Sequence, residues 1–446
     1  MISNVANKIS KVFRGTIIHS LEINNVEILQ NAALGVGESG SIVFLKRDVA
    51  DDQVFGEIAK EYSFTDSQVV NLGKKFLIPG FIDTHAHAPQ YHNAGTGTDL
   101  PLLKWLEKYT FPVESKFREL KFARDVYTKV VDRMLKNGTT TCCYFATIHL
   151  DATLLLADIV GERGQRAFIG KVCMDRNSPD HYVETTEQSI QSTKQYIEEL
   201  NKRGNPLVQP IITPRFAPTC TDHLLKELGV IAKDKGTMIQ SHISENIDEV
   251  AWVKSIFPEL KSYTDVYKHF DLLNKKTIMA HAIHLSDEEL DTFEKCEAGI
   301  SHCPVSNFTL GSGAMDVRKV LRKNIKLGLG TDISGGYSSS ILTVIKDSLK
   351  CSNSIFFHDK SHTPLSYEEA FYLATVGGSK VVELSDRIGN FLPGKEFDAQ
   401  VIDPFSANSP FDVFEADTTH DIFQKFIFNG DDRNVDSVYV KGRKVI

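Results

Sequence analysis

Two histidines one residue apart, His85-Ala86-His87, close an apolar, β-prone run that begins near Lys75. In a strand, residues i and i+2 leave the same face, so the two imidazoles converge. Neutral imidazoles suit a borderline-soft divalent cation such as zinc or ferrous iron, whereas calcium or magnesium would call for oxygen ligands. A lone pair of this kind is weak evidence, since a motif counts only in its predicted context. Here the context repeats: Arg215 and Phe216, His242, His281 and Asp332 stand at the ends of four later apolar runs. Each alone has an ordinary reading, Asp332 as a helix cap after Gly-Thr and the histidines as packing. Together they describe one site fed by imidazole and carboxylate from distant parts of the chain. A dication held there would lower the pKa of a water from about 15.7 toward about 7, making hydroxide at neutral pH. A neighbouring carboxylate or imidazole must then orient that water and take its proton, a role that suits Asp332 and His281.

The elements that would position these residues alternate regularly. Short β-rich runs bounded by turn signals cover Phe76–Thr84, Thr139–Ala146, Arg166–Cys173, Leu207–Pro214, Thr237–His242, Thr277–His281, Gly299–Cys303 and Ile325–Gly330. Between them lie stretches of helical period with charged faces, among them Phe122–Lys136, Glu187–Lys202, Asp222–Lys235, Asp287–Cys296 and Tyr337–Cys351. Strand and helix thus alternate eight times. Short connections and right-handed crossovers favour a parallel (β/α)8 barrel, of the TIM-like α/β class, over an open doubly wound sheet. In such barrels chemistry sits at the carboxyl ends of the strands, where the residues above fall.

A chain of 446 residues leaves room for a companion to the barrel. Short strands are expected at Lys11–His19, Val26–Leu29 and Ser41–Lys46, and again at Asp398–Asp403 and Val435–Ile446. We expect these termini to build one small β-rich domain, residues 1–74 with 390–446, around a barrel of residues 75–389. The formal charge of −8 comes with no basic cluster, which disfavours nucleic acid. No stretch reaches the roughly 18 to 20 apolar residues of a membrane helix, and the amino end lacks an apolar leader core. The seven cysteines, an odd number without a C-x-x-C pair, do not form a disulfide framework. A soluble cytoplasmic protein that binds neither membrane nor nucleic acid is the expectation.

Pro79-Gly-Phe-Ile-Asp-Thr-His85-Ala-His87, Ser241-His242-Ile-Ser-Glu245, Met279-Ala-His281, His302-Cys-Pro and Gly328-Leu-Gly-Thr-Asp332 resemble the metal-dependent amidohydrolase superfamily. Several stretches are similar, more narrowly, to its guanine-deaminating branch. These are His87-Ala-Pro-Gln90-Tyr91, the long run Asp99 to Pro112, Lys136 to Thr147, Gly164 to Phe168, Thr213-Pro-Arg215-Phe216 and Ser241 to Asn246. The resemblance implies one zinc, with ferrous iron as the other candidate, held by His85, His87, His242 and Asp332. It implies that His281 and Asp332 handle the attacking water and that Glu245 shuttles protons. Spacing alone leaves Glu245 equally readable as a solvated residue favoured by a helix amino terminus. Family members with two metals generally bridge them by a carboxylated lysine on the fourth strand, and Val208 to Phe216 contains no lysine.

Contacts to the substrate are implied for His87, Gln90, Arg215, Phe216, His242, Glu245 and Asp332. Arg215 brings fixed planar donors, Gln90 a donor and an acceptor, and Phe216 an aromatic face. The implied reaction is hydrolysis of free guanine, a small purine base, at C2 to xanthine and ammonia, by a homodimer. Two other readings stay open: a sister aminohydrolase of another amino-substituted N-heterocycle, and a non-catalytic scaffolding relative, which would be expected to have lost ligands that this chain retains. Trp105, in the long first loop, is expected to pack as an anchor.

Overall fold

Pro79 and Gly80 divide the run Phe76–Thr84, expected as one strand, between two different sheets. A Cβ on Gly80 would fall 2.1 Å from Thr140 Oγ1, so only glycine lets the chain pass this close as it leaves one sheet for the next. The computed structural model describes residues 8–446. Its first strands are β1 (Ile9–Glu22), β2 (Asn25–Gly37), β3 (Ile42–Lys46) and β4 (Val69–Pro79). The barrel follows: β5 (Phe81–His87), β6 (Thr139–Phe145), β7 (Arg166–Gly170) with the short β8 (Val172–Cys173), β9 (Val208–Pro214), β10 (Met238–Ile243), β11 (Thr277–His281), β12 (Gly299–His302) and β13 (Lys326–Leu329). The chain ends with β14 (Ala399–Ile402), β15 (Val435–Val440) and β16 (Arg443–Lys444).

Strands β5, β6, β7 and β9 to β13 lie side by side in parallel, in sequence order. The first and last meet at their carboxyl ends, where Asp332 N donates to His85 O at 2.8 Å and His87 N to Ile333 O at 2.9 Å. Thr84 Oγ1 also donates to Leu329 O at 2.9 Å, so polar contacts close the ring at the site. The other sheet has seven strands in the order β16-β15-β14-β4-β1-β2-β3, built from both ends of the chain as expected. β1 and β2 run well beyond Lys11–His19 and Val26–Leu29, because Gly15, at φ 142°, is absorbed as a register shift rather than ending the strand.

The helices follow from their ends. Thr185, Thr221 and Ser286 accept backbone N–H bonds at the starts of Thr186–Arg203, Asp222–Lys235 and Asp287–Cys296. Gly204 and Gly236 take the left-handed conformation that ends the first two. Helices Leu150–Arg163, Ile247–Ile256 and Tyr263–His269 add to those expected. The helix read as Tyr337–Cys351 spans Ile341–His358 instead; Tyr337 to Ser340 stay outside it in the loop leaving the site. One continuous apolar core fills the space between barrel strands and helices, and a separate one, with Phe13, Leu34, Phe397 and Tyr439, lies on the terminal sheet. Arg166 on β7 joins the two: buried, it donates to Asp398 Oδ2 at 3.1 Å and to Glu396 Oε2 at 2.6 Å.

Candidate metal centre and cavity

β5 ends with both His85 and His87 directed inward, and β10, β11 and the turn after β13 bring His242, His281 and Asp332 to the same rim. The ligating atoms of His85, His87, His242 and Asp332 all lie within 4.8 Å of one another. His87 Nε2 is 3.0 Å from His242 Nε2, and Asp332 Oδ1 is 3.2 Å from His85 Nε2 and 3.4 Å from His87 Nε2. Ligands at about 2.0 Å from one tetrahedral ion would sit about 3.3 Å apart, so the spacing fits a single small cation.

The protonation pattern fits as well. His242 Nδ1 donates to Arg215 O at 2.6 Å, which leaves Nε2 as a lone pair facing the cluster. His85 Nε2 is buried without a hydrogen-bond partner among the described residues. Burial lowers the pKa of all three imidazoles, for His87 and His242 well below the usual histidine value, which keeps them neutral as ligands must be. Asp332 remains ionised: burial works against it, but the imidazoles of His85, His281 and His87 outweigh that and pull its pKa down. Lys171 lies near the end of the third barrel strand, paired with Glu184 at 2.7 Å, and takes no part in the cluster.

His281 stands beside the four. Its Nδ1 contacts Asn307 Oδ1 at 2.9 Å, and its Nε2 lies 3.5 Å from Glu245 Oε2 and 3.8 Å from Asp332 Oδ2. With Nδ1–H given to the amide oxygen, Nε2 is an acceptor directed between the two carboxyl groups. His281 and Asp332 both hold positive φ, 72° and 45°, and Ser244 just before Glu245 holds 50°. Non-glycine residues rarely adopt this region, and such strain gathers at functional sites.

Glu245 is buried with its carboxyl toward His281, and is not the solvated helix-start residue that its spacing also allowed. Glu249 fills that helix-start role: its Oε2 accepts from the N–H groups of Glu245 at 2.9 Å and Asn246 at 3.2 Å, closing a capping box. Burial, and then the charges of Asp332 and Glu249, push the Glu245 carboxyl well above the usual carboxylate range, which favours its protonated form.

A cavity opens on these groups, lined by His87, Gln90, Arg215, Phe216, His242, Glu245, His281 and Asp332. Leu102, Trp105, Leu106 and Leu310 form the apolar side. Trp105 is buried as an anchor should be, its Nε1 donating to Thr96 O at 3.3 Å, yet it also lines the cavity. Arg215 is both salt-bridged, to Glu114, and part of the wall. The residues singled out from the sequence as metal ligands and substrate contacts lie together here, but that reading did not identify Glu114, Glu249, Asn307 or Asp83. Asp83 accepts from His85 N at 3.1 Å, Thr331 N at 3.0 Å and Thr331 Oγ1 at 2.6 Å, fastening the two strand ends that carry three of the four ligands. A charge amid Phe111-Pro-Val-Glu114, an otherwise apolar stretch, was the one signal available for Glu114.

Residues 76–445 match the amidohydrolase family. The chain is 65% identical to the guanine deaminase of Dictyostelium discoideum, covering 99% of each chain, and 48% identical to that of Homo sapiens, covering 98% of this chain and 97% of the other. Among solved structures it is similar to guanine deaminase from C. acetobutylicum with guanine bound in the active site. That likeness has a TM-score of 0.90 at 37% identity, over 98% of this chain and 100% of the other.

Proposed function

The chain belongs to the amidohydrolase family and, within it, to the guanine deaminases, and from this we infer that it removes the 2-amino group of guanine by hydrolysis, giving xanthine and ammonia. The observation that carries the reading is a cavity in which a cluster of three imidazoles and a carboxylate faces the buried carboxyl of Glu245 and the fixed donors of Arg215 and Gln90. When bound by His85, His87, His242 and Asp332, a divalent cation, zinc in this reading, acidifies water and supplies positive charge where the reaction develops negative charge.

The protein's own groups do the rest. Arg215 and Gln90 hold an edge of the purine and Phe216 packs on its face, bringing C2 to the rim where His281 and Asp332 converge. Asp332, ionised, accepts the proton of the attacking water, and His281 Nε2 orients it. Glu245 gives its proton to the ring nitrogen next to C2 as the C2–O bond forms. It then recovers a proton from Asp332 and passes it to the amino group, which leaves as ammonia when the C2–N bond breaks, while the new C2 hydroxyl gives its proton to Glu245 as the 2-oxo group forms. The apolar wall of Leu102, Trp105 and Leu106 limits bulk water around these transfers. A homodimer in the cytoplasm belongs to the same reading. The cytoplasm is supported by seven free thiols, with no disulfide among the described residues.

Ammonia release from guanine, adenine, cytosine and an aminotriazine, measured on purified protein with one metal per chain, tests the assignment. Turnover of guanine above all others is expected. Preference for another of the four would move the chain to a sister aminohydrolase.

A further inference from the structure

Glu114 lies at the end of the short helix Phe111–Glu114, between the first loop and the cavity, and is fully buried. Its two oxygens receive four hydrogen bonds. Oε1 accepts from Gln90 Nε2 at 2.9 Å and Arg215 Nη2 at 3.1 Å, and Oε2 accepts from Arg215 Nη1 at 2.6 Å and Tyr182 Oη at 2.7 Å. One carboxylate therefore ties together residues from the ends of the first, third and fourth barrel units. The Arg215 guanidinium is further fixed over the Phe111 ring at 5.1 Å.

An ionised carboxylate only accepts hydrogen bonds. The Gln90 amide beside it must present nitrogen to Glu114, and Ser334 N, 3.4 Å from Gln90 Oε1, favours the same orientation from the other end. The guanidinium has five N–H groups; Glu114 takes two of them and cancels its charge, leaving the others for a neutral ligand. Glu114 itself does not line the cavity.

We propose that Glu114 is the positioning residue for substrate recognition. It fixes which atom of Gln90 and which N–H groups of Arg215 meet the purine edge, and so sets the preference for a base carrying the 6-oxo group. This rests on the guanine reading above. Glu114→Gln keeps the shape but can give or accept a hydrogen bond at either end, so Gln90 loses its single orientation and Arg215 its counter-charge.

The test measures kcat and KM for guanine and for 2-aminopurine, which lacks the 6-oxo group, with equilibrium binding of xanthine, in wild type and Glu114→Gln. The expected result is a KM for guanine and a Kd for xanthine raised about 10- to 100-fold, kcat within about threefold, and a smaller ratio of guanine to 2-aminopurine kcat/KM. Tyr182→Phe, which removes one bond to Glu114 and leaves the ion pair, is expected to raise KM by about threefold with kcat unchanged, and it decides the matter should Glu114→Gln not fold. Unchanged KM, Kd and substrate ratio in the folded variant, or a fall in kcat alone, would overturn the proposal. Wild type that carries its metal but does not turn over guanine would instead remove the reading beneath it.

Discussion

Glu245 and His281 show how burial sets roles at the residue scale. Both are carboxyl or imidazole groups excluded from water, yet Glu245 lies beside other negative charges that raise its pKa, while His281 is tied at Nδ1 by Asn307 and presents a lone pair. Glu245→Gln keeps shape and neutrality but cannot move a proton. We expect it to retain one metal per chain while kcat falls by about 10²- to 10⁴-fold, read by metal analysis beside a guanine assay. Near-normal turnover would take Glu245 out of the mechanism. His85→Ala and Asp332→Ala act on the cluster itself. Each should purify with well under one metal per chain, and retained stoichiometric metal in both would contradict the ligand set.

At the scale of elements, the clasp between β5 and the turn after β13 matters most, because those two ends carry His85, His87 and Asp332. Asp83 on β5 accepts two hydrogen bonds from Thr331 across this clasp and one from His85 N within its own strand, and burial pushes its own pKa up to about 6 despite those donors. Asp83→Ala should fold and yet bind metal about 10- to 100-fold more weakly, as loss of groups that orient ligands does, which a competition titration against a chelator would measure. Unchanged affinity would mean that backbone bonds alone set the rim.

The sequence made this arrangement legible as far as each ligand sits at the end of an apolar run, a pattern local in the chain. What orients the ligands was not legible, because Asp83 with Thr331, and Glu114 with Arg215, are partners far apart in sequence, and nothing local pairs them. The same limit hid the division of Phe76–Thr84, whose cause is the approach of Thr140 to Gly80. The role of Glu245 was ambiguous for a different reason. It sits near a helix start, and only partners in space, His281 for Glu245 and the N–H groups of Glu245 and Asn246 for Glu249, tell the two buried carboxyl groups apart.

At the scale of the whole molecule, the terminal sheet and the barrel share a buried ion pair, and stability should depend on it. Arg166→Met would leave Asp398 buried opposite no charge, at a cost of about 3 to 5 kcal/mol, seen as a lower urea midpoint. A change within about 0.5 kcal/mol would show that the pair is dispensable. Acid stability should depend on His302, which is fully buried at the end of β12 with neither ring nitrogen bonded among the described residues. Burial, and then the nearby His281, lower its pKa to about 3. The unfolded chain takes this proton first, near pH 6.5, so the stability from a neutral His302 is present above about 6.5 and lost as pH falls toward about 3, at up to about 1.4 kcal/mol per pH unit. His302→Leu should flatten that part of the stability curve, and an unchanged slope would assign the loss to other groups.

All three scales meet in one claim, that a cation held by three histidines and an aspartate lets this barrel hydrolyse guanine. The conversion of guanine to xanthine, followed by absorbance and ammonia release on one preparation as purified, after chelation and after return of zinc, tests it most directly. Turnover should disappear with the metal and return with about one zinc per chain. Guanine turnover that persists in fully metal-free protein, or none in protein with its site filled, would contradict it.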